Sequence, residues 1–294
     1  MLYKRRNFIK TTAAGLAITA VSGNLWSCRS TAGLHGKNSL GDFGLQLYTL
    51  RDVIGSNPKG VLKLVADMGY KQIEGYEDSK QGIYWGMTNT EFKKYLDSIG
   101  LTMISTHCNI DKDFERKASE AAAIGMKYLL SPYVGRQKSL DDYKKIADKF
   151  NNRGEICKKE GIKFGYHNHE YSFKEQEGQF PQDIFMQNTN KDLVDFEMDI
   201  YWVVTAGQEP IAWLTKYPDR FTLCHIKDRK KDTPLSVRDA SVNVGEGSID
   251  FKKILKAAKD NSVKYFIVEQ ENYENTTPVL AAKADADYLK AFRF

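Results

Sequence analysis

Eight short runs rich in β-branched and aromatic residues alternate with eight amphipathic segments from Phe43 to the end of the chain. The runs are Gly44–Leu50, Gln72–Tyr76, Thr102–His107, Tyr128–Tyr133, Lys163–Asn168, Leu193–Asp199, Thr222–Lys227 and Tyr265–Glu269. Regular alternation of strand and helix patterns predicts parallel strands joined by helical crossovers. Eight such units are the number that closes a sheet into a barrel.

The segments between the runs carry apolar residues at helical spacing. They are Pro58–Met68, Thr90–Ile99, Asp113–Ile124, Ser139–Glu160, Phe180–Asn188, Pro210–Lys216, Asp250–Lys259 and Thr277–Ala291. An open doubly wound sheet is the alternative, but it favours a glycine-rich phosphate loop after its first strand. The first strand here continues into Tyr48–Asp52, which contains no glycine. We therefore predict an α/β fold, a single (β/α)8 TIM barrel over residues 43–294.

Residues 1–28 have the features of an export signal. Residues 4–10 are K-R-R-N-F-I-K, and an uncharged stretch follows to Ser27. This pattern is similar to a twin-arginine (Tat) signal, whereas a spanning helix needs about 20 apolar residues. A poorly ordered basic N-terminus is the alternative.

The segment Leu25–Cys28 loosely resembles a lipoprotein cleavage box, with Trp26 as an unusual residue in it. Lipidation of Cys28 would tether the protein to a membrane through residues 29–42, a flexible leash rich in Gly and Ser. A structural cysteine is the alternative. We expect a periplasmic or membrane-anchored lipoprotein, with membrane contact through the anchor alone.

The charge of the chain argues against nucleic-acid binding. The 43 basic and 38 acidic residues give +5, but four of the basic residues lie in the signal. A nearly neutral remainder excludes the basic surplus that a nucleic-acid-binding domain needs. The oligomeric state stays open, a homo-oligomer included.

Three cysteines lie beyond Cys28, namely Cys108, Cys157 and Cys224. Their number is odd, their spacing is wide and no CxxC motif is present. We therefore predict reduced, buried thiols rather than a disulfide framework.

Four residues at or near the C-terminal ends of predicted strands could bind one divalent cation: His167, Asp199, His225 and Glu269. Functional groups of such barrels lie at these strand ends. Imidazole and carboxylate ligands suit Zn, Mn, Co or Fe better than Mg or Ca. A hydrogen-bonded polar network at the barrel mouth is the alternative.

The histidines are concentrated at strand ends. Four of the five, namely His107, His167, His169 and His225, have this placement, and His35 lies in the leash. Because strand side chains alternate, His167 and His169 should face one side of the sheet. Burial of so many imidazoles without partners would be costly, which indicates a shared site.

Several motifs occur in a characteristic order. They are Gly44–Asp52, Tyr166–Glu170, Asp199–Trp202 followed by Ala206-Gly207, His225–Asp228, Gly245–Asp250 and Val268-Glu269. Together they resemble the xylose isomerase-like TIM-barrel superfamily, of the sugar isomerase/epimerase type. The resemblance implies one divalent metal at the barrel mouth, held by His167, Asp199, His225 and Glu269, which polarises the carbonyl and hydroxyl oxygens of a sugar.

One departure from the family pattern concerns the reaction. Ketose epimerases of the superfamily carry glutamate where this chain has His167, so only Glu269 remains of their catalytic pair. The resemblance therefore favours lyase or hydratase chemistry on a keto-sugar or 3-keto-glycoside, as in inosose dehydratases. Isomerase or epimerase action is the alternative, followed by a non-catalytic sugar-binding lipoprotein and an abasic-site endonuclease.

For proton transfer we expect His107 and His169 to act as base and acid, because imidazoles titrate near neutrality. Lys227 could stabilise an oxyanion with Asp228 holding it, or the pair could instead orient His225.

Other residues could contact the sugar. Trp85, Trp202 and Tyr133 would form apolar platforms, or else pack under loops. Arg136 would contact an oxygen, or else lie on the surface, and Gln46 is a further candidate. The absence of a phosphate-binding loop after the last strands favours a free sugar or glycoside as the small-molecule partner.

Overall fold

A computed structural model describes residues 38–294. The predicted export signal, the lipidation site at Cys28, residues 29–37 of the leash and His35 lie outside the described residues. Within residues 38–294, no helix is both long and apolar enough to cross a membrane.

Eight parallel strands close into a barrel. They are β1 (Gly44–Gln46), β2 (Gln72–Tyr76), β3 (Thr102–His107), β4 (Tyr128–Ser131), β5 (Lys163–His167), β6 (Val194–Asp199), β7 (Phe221–Ile226) and β10 (Tyr265–Val268). Their order around the barrel is β1-β10-β7-β6-β5-β4-β3-β2. A two-stranded antiparallel ribbon, β8 (Asp228–Arg229) with β9 (Ser241–Val242), follows β7. The predicted (β/α)8 TIM barrel is thereby confirmed.

Helices cover the outside of the barrel. They are α1 (Arg51–Ile54), α2 (Pro58–Asp67), α3 (Asn89–Ile99), α4 (Phe114–Ala123), α5 (Leu140–Lys159), α6 (Pro181–Asn188), α7 (Ile200–Thr205), α8 (Pro210–Lys216), α9 (Phe251–Asp260) and α10 (Pro278–Ala291). Side-chain caps begin several of them: Ser139 accepts from the amide of Asp142 at α5, and Thr88 and Glu91 form a capping box at α3. Such caps satisfy amides that have no partner within the helix.

Several strands end earlier than the sequence predicts. The β1 strand stops at Gln46, whose side chain accepts a hydrogen bond from the Tyr48 amide and turns the chain into a 3-10 helix at Leu47–Leu50. The short helices α1 and α7 and the β8–β9 ribbon were not predicted. They are too short for their periodicity to be recognised.

The barrel interior is apolar deeper along the strands and polar at their C-terminal ends. Ile104, Tyr128, Leu130, Leu223 and Ile267 form a small apolar cluster. Leu223 and Ile267 precede His225 and Glu269 by two residues, so each pair shares the inward face of its strand. The apolar cluster therefore lies directly beneath the functional groups. Outward residues join a larger core between strands and helices, where Tyr166 packs against Phe150 and Phe185.

The described end of the leash lies against the C-terminus. Ser39 forms a β-bridge with Arg293, the Phe294 amide donates to the Asn38 carbonyl, and Leu40 is buried. Asn38, Ser39 and Leu40, in the predicted leash, therefore pack against the barrel domain. Among residues 38–294, Cys108, Cys157 and Cys224 form no disulfide, and all three are buried, as predicted.

Candidate active site

The four predicted ligands converge at the C-terminal mouth of the barrel. His167, Asp199, His225 and Glu269 each offer one ligand atom, and these atoms lie within 4.8 Å of one another. All four side chains are buried. Asp199 ends β6 and is the N-cap residue of α7, where its Oδ1 accepts a hydrogen bond of 3.1 Å from the Trp202 amide. We call these four residues the outer cluster.

The distances within the outer cluster suit a divalent cation. Asp199 Oδ2 lies 3.9 Å from His167 Nε2 and 3.8 Å from His225 Nδ1, and Glu269 Oε2 lies 3.4 Å from His225 Nδ1. Ligand atoms about 2.0–2.2 Å from a shared zinc-like ion are separated by about 3–4 Å. Asp199 Oδ2 and His225 Nδ1 are buried and make no hydrogen bond in the described part of the chain. Buried polar atoms without a partner are costly, and the residues present fit a cation here.

The four residues of the outer cluster differ in protonation. Burial raises the pKa of Asp199 to about 7, although Lys227 and His225 oppose the shift. Burial also lowers the pKa of His167 to about 4, although Glu197 opposes it. For Glu269, burial would raise the pKa, but Lys227 and His225 outweigh it and hold the pKa well below its ordinary value. For His225, burial would lower the pKa, but Glu197, Glu269 and Glu74 hold it well above its ordinary value. His167 and Glu269 are thus already in the protonation state that binds metal, whereas Asp199 and His225 would release protons when a cation binds.

Two buried glutamates that the sequence analysis did not select lie beside the outer cluster. Glu74 on β2 and Glu197 on β6 are both fully buried. Glu197 Oε2 lies 2.9 Å from His107 Nε2, 3.0 Å from His167 Nδ1 and 3.2 Å from His225 Nε2. Glu74 Oε1 lies 2.7 Å from His225 Nε2 and 3.1 Å from His107 Nε2.

Further polar residues complete this group. Gln46 Nε2 donates to Glu74 Oε1 at 2.7 Å, and the Ser105 hydroxyl donates to Glu74 Oε2 at 2.5 Å. We call Gln46, Glu74, Ser105, His107 and Glu197 the inner cluster. Although burial would raise the pKa of Glu197, the imidazoles of His225, His107 and His167 hold it well below its ordinary value.

His107 is the member of the inner cluster that also lines a cavity at the barrel mouth. Burial would lower its pKa, but Glu74 and Glu197 raise it to about 10. Its ring therefore carries a positive charge at neutral pH, which makes it a proton donor rather than a base.

His169 has the opposite character. Burial, together with His167 and Lys227, lowers its pKa well below the ordinary value. Its ring stacks on Trp202 with 5.1 Å between centroids, and its Nδ1 makes no hydrogen bond with a described residue. A neutral imidazole with a free nitrogen can accept a proton.

Lys227 carries a positive charge beside the outer cluster. Burial would lower its pKa, but Glu271, Glu269 and Asp199 raise it. Its ammonium bonds Glu271 and lies 3.5 Å from Glu269 Oε2. Glu271 therefore holds the Lys227 ammonium in place. The prediction that Asp228 does so is wrong.

Asp228 is a structural anchor and does not line the cavity. It is fully buried, and its two carboxylate oxygens accept hydrogen bonds from four backbone amides, those of Arg229, Gly245, Gly247 and Ile249. This corrects its predicted contact with substrate, because no acceptor capacity faces the cavity. The Gly245–Asp250 motif is therefore a loop that wraps around one aspartate.

A cavity of about 600 Å³ opens above the outer cluster. Its volume falls in the range of about 300–1,000 Å³ typical of small-molecule sites. Its lining includes Tyr48, Tyr76, Ser79, His107, Asn109, Lys112, Tyr133, His167, His169, Glu269 and Glu271. The predicted positions of Tyr133, His107 and His169 thus belong to one cavity.

Four other predicted substrate residues do not line this cavity. Gln46 is fully buried in the inner cluster, and Trp85 packs edge-on against Tyr76 at 5.7 Å between centroids. Trp202 lies behind His169, and the exposed Arg136 contacts Gln176 at 3.4 Å. Gln46, Trp85 and Trp202 therefore support residues of the cavity wall instead of forming it.

A signal for one of the missed glutamates was present in the sequence. Glu197 precedes Asp199 by two residues on the same strand, so strand alternation places both on the inward face. Glu74 gave no comparable signal, because its partners come from β1, β3 and β7, far away along the chain.

Comparisons with known proteins give a family for the chain and several relatives. A family model described as xylose isomerase-like TIM barrel matches residues 62–292. An inosose dehydratase of Clostridium beijerinckii is 31% identical over 144 residues, which cover 45% of this chain and 48% of that protein. The chain thus spans about half the length of the curated relatives it matches.

Solved structures match over more of the chain. A sugar phosphate isomerase/epimerase from Parabacteroides distasonis is 29% identical, with a TM-score of 0.73 over 89% of this chain and 96% of that chain. The structure named IolI protein with a binding zinc atom is 18% identical, with a TM-score of 0.71 over 86% and 99% of the two chains, and it shares the fold.

Proposed function

The chain belongs to the xylose isomerase-like TIM barrel family, and from this membership we propose that it is a divalent-metal-dependent carbohydrate enzyme. It would act on a keto-sugar or 3-keto-glycoside by removing a proton next to the keto group. We favour a lyase or hydratase reaction, in which a group on the next carbon leaves or water adds.

The convergence of four buried ligand atoms beneath a cavity supports this proposal best. Asp199 Oδ2 and His225 Nδ1 have no hydrogen-bond partner among the described residues, although burial makes such atoms costly. The two imidazoles and two carboxylates suit Zn, Mn, Co or Fe. When bound, such an ion would supply a Lewis acid that polarises the carbonyl oxygen of the substrate.

Different residues around the cavity would accept the proton from the substrate and donate a proton to the leaving group. His169 is neutral and its Nδ1 has no hydrogen-bond partner among the described residues, so it would accept the proton from the carbon next to the keto group. His107 is an imidazolium held by Glu74 and Glu197, so it would donate a proton to the leaving group. The Lys227 ammonium, fixed by Glu269 and Glu271, would stabilise negative charge on a substrate oxygen.

The names of relatives support two related reactions. Inosose dehydratases match part of the chain at up to 31% identity, which favours elimination. The Parabacteroides relative, named a sugar phosphate isomerase/epimerase, matches nearly the whole chain and favours isomerisation or epimerisation. Replacement of the epimerase glutamate by His167 removes one carboxylate of the two-base mechanism, and we therefore keep isomerase action as the second candidate. The sugar-binding lipoprotein without catalysis ranks third.

Export is part of the proposal. The twin arginine at Arg5-Arg6 and the box ending at Cys28 would direct the enzyme out of the cytoplasm and attach it to a membrane. Cell fractionation and mass spectrometry of the mature N-terminus would test this. A lipid on Cys28 that is lost in Cys28→Ala is the expected result, and an intact Met1 in exported protein would contradict it.

Metal analysis followed by proton exchange tests the central reaction. Natively purified protein should contain about one divalent ion per chain. In D₂O, deuterium should enter a keto-sugar or 3-keto-glycoside beside its carbonyl. No exchange with any keto-sugar, from a metal-loaded protein, would contradict the proposal.

Product analysis then separates the two candidate reactions. Release of the aglycone from a 3-keto-glycoside indicates elimination, and formation of a new ketose without release indicates isomerisation or epimerisation. His169→Gln should lower exchange by roughly 100-fold or more. His107→Gln should retain exchange but lose elimination, because it removes the donor and leaves the acceptor.

A further inference from the structure

We propose that Glu74 and Glu197 are positioning residues that fix the tautomers of His225 and His167 and thereby direct a cation to the outer cluster. This inference rests on the metal site of the proposed function. It concerns two residues outside that site, and it can be measured in metal-free protein.

Glu197 determines which nitrogen of His167 carries hydrogen. Its Oε2 lies 3.0 Å from His167 Nδ1, and both side chains are buried. An ionised carboxylate only accepts hydrogen bonds, so the nitrogen beside it must be the donor. His167 therefore carries its hydrogen on Nδ1, and a neutral imidazole then has a lone pair on Nε2.

Glu74 likewise determines which nitrogen of His225 carries hydrogen. Its Oε1 lies 2.7 Å from His225 Nε2, and Glu197 Oε2 lies 3.2 Å from the same nitrogen. His225 therefore carries a hydrogen on Nε2, and a neutral ring then has its lone pair on Nδ1. The hydrogen bonds from Gln46 and Ser105 to Glu74 keep that carboxylate in place.

The two lone pairs then face the same two carboxylates. His167 Nε2 lies 3.9 Å from Asp199 Oδ2, and His225 Nδ1 lies 3.8 Å from it and 3.4 Å from Glu269 Oε2. A nitrogen lone pair and an ionised carboxylate oxygen are both hydrogen-bond acceptors, so neither can bond to the other. They can share a cation, and a partner that accepts a hydrogen bond from the other ring nitrogen holds a metal-binding imidazole in the correct tautomer.

A cation bound by His107, His167, Glu197 and His225 is the competing arrangement, since these residues also offer ligand atoms within 4.8 Å of one another. It would need the lone pairs of His167 Nδ1 and His225 Nε2, the opposite tautomers. It would also compete with the hydrogen bonds that already satisfy Glu74. In the competing group, only Glu197 Oε1 has no partner on the face that a cation would occupy, whereas the outer cluster has two such atoms, Asp199 Oδ2 and His225 Nδ1, among the described residues. The contacts therefore favour the outer cluster.

Two measurements on full-length protein test the inference. Long-range ¹H–¹⁵N NMR of metal-free protein labelled at histidine should show His167 with hydrogen on Nδ1 and His225 with hydrogen on Nε2. Titration with Co²⁺, followed by its visible spectrum and by competition with a chelator, should show affinity reduced about 10–100-fold in Glu74→Gln and in Glu197→Gln.

Asp195→Asn is the matched control. Asp195 lies on β6 two residues before Glu197 and is buried, but its carboxylate bonds Lys163 and Thr222 instead of a histidine. Its Co²⁺ affinity should stay within about twofold of wild type. Circular dichroism of each variant verifies folding, so a loss of affinity can be assigned to the histidines.

The outcomes are distinguishable. Wild-type tautomers and affinity in both glutamate variants would overturn the inference, as would Co²⁺ binding that survives Asp199→Asn and Glu269→Gln but not Glu197→Gln. If wild type bound no Co²⁺, the metal site of the proposed function would fail. The tautomers in metal-free wild type would still confirm or refute the hydrogen-bond assignment by themselves.

Discussion

Two buried aspartates near the ends of neighbouring strands have opposite surroundings. Asp228, just after β7, has both oxygens satisfied by four backbone amides of its own loop. Asp199, at the end of β6, has one oxygen that accepts from Trp202 and another that accepts from no described residue. Both are fully buried.

The difference separates a structural carboxylate from a ligand. A buried carboxylate with all its acceptor positions filled stabilises the backbone that fills them. A buried carboxylate oxygen without a donor requires another partner, and here two imidazoles and Glu269 surround it. The number of donors around a strand-end aspartate is therefore a better guide to its role than its place in a motif.

The largest expected effect concerns Asp228→Asn. In either amide orientation, the new NH₂ group would face two backbone amides that formerly donated to an oxygen. Loss of two hydrogen bonds to a charged acceptor should lower the free energy of unfolding by about 4 kcal/mol. Urea denaturation measures this, and metal affinity of the folded protein should change little. A stability equal to wild type would contradict the anchoring role.

Gly247→Ala should disrupt the same hydrogen bonds to Asp228 by changing the loop that donates them. A Cβ at this position would overlap Asp228 Oδ1 and the carbonyl oxygen of Arg229. We expect a loss of about 3 kcal/mol, since a backbone oxygen cannot move aside easily. Gly55→Ala is the control, because its Cβ would meet only Gln81 Nε2 at 3.9 Å. Equal stability of the two variants would show that the loop can relax.

Asp199→Asn makes the same substitution on the other aspartate. Its Oδ1 can still accept from Trp202, and no hydrogen bond is lost at the second oxygen. Stability without metal should therefore not fall, whereas metal affinity should fall by about 100-fold, or 2.7 kcal/mol. Calorimetric titration with Zn²⁺ measures the affinity. A destabilised variant with wild-type affinity would reverse the two roles.

A third buried aspartate, Asp285, also has a carboxylate oxygen without a hydrogen-bond donor among the described residues, and its effect on stability can be measured. Asp285 Oδ1 accepts from the Val244 amide, and Oδ2 accepts from no described residue. Burial raises its pKa to about 7, with Val244 opposing and Asp228 and Glu246 assisting the shift.

The raised pKa determines the sign of the pH dependence. The folded state holds a proton that the unfolded state releases near pH 4, so stability falls as the pH rises towards 7. Between pH 5 and pH 7, wild type should lose about 2 kcal/mol relative to Asp285→Asn, as measured by urea denaturation at each pH. Parallel curves for the two proteins would rule out this titration.

Most of the fold follows from local patterns. The β2 and β3 bounds agree with the predicted Gln72–Tyr76 and Thr102–His107, and the eight longer helices lie within about two residues of their predicted ends. Apolar periodicity and glycine stops are properties of neighbouring residues, so they can be detected along the chain. The turn after β1 depends on a Gln46 side-chain contact and gave no such signal.

The candidate site was predictable only in part. His167, Asp199, His225 and Glu269 were identifiable as strand-end groups, and the structure brings all four together. The supporting residues were not, because a glutamate such as Glu74 acquires its role from partners on three other strands. Asp228 was misassigned since its motif does not show that four amides surround it.

The sequence alone determined the alternation of strands and helices, the inward face of each strand and hence the set of side chains at the barrel mouth. These follow from periodicities of two and 3.6 residues, which are local. The tertiary structure decided which carboxylates are satisfied and which are free, how His107 and His169 differ in protonation, and which nitrogens face Asp199. Those properties depend on distances and burial among residues far apart in the chain, and only closure of the barrel sets them.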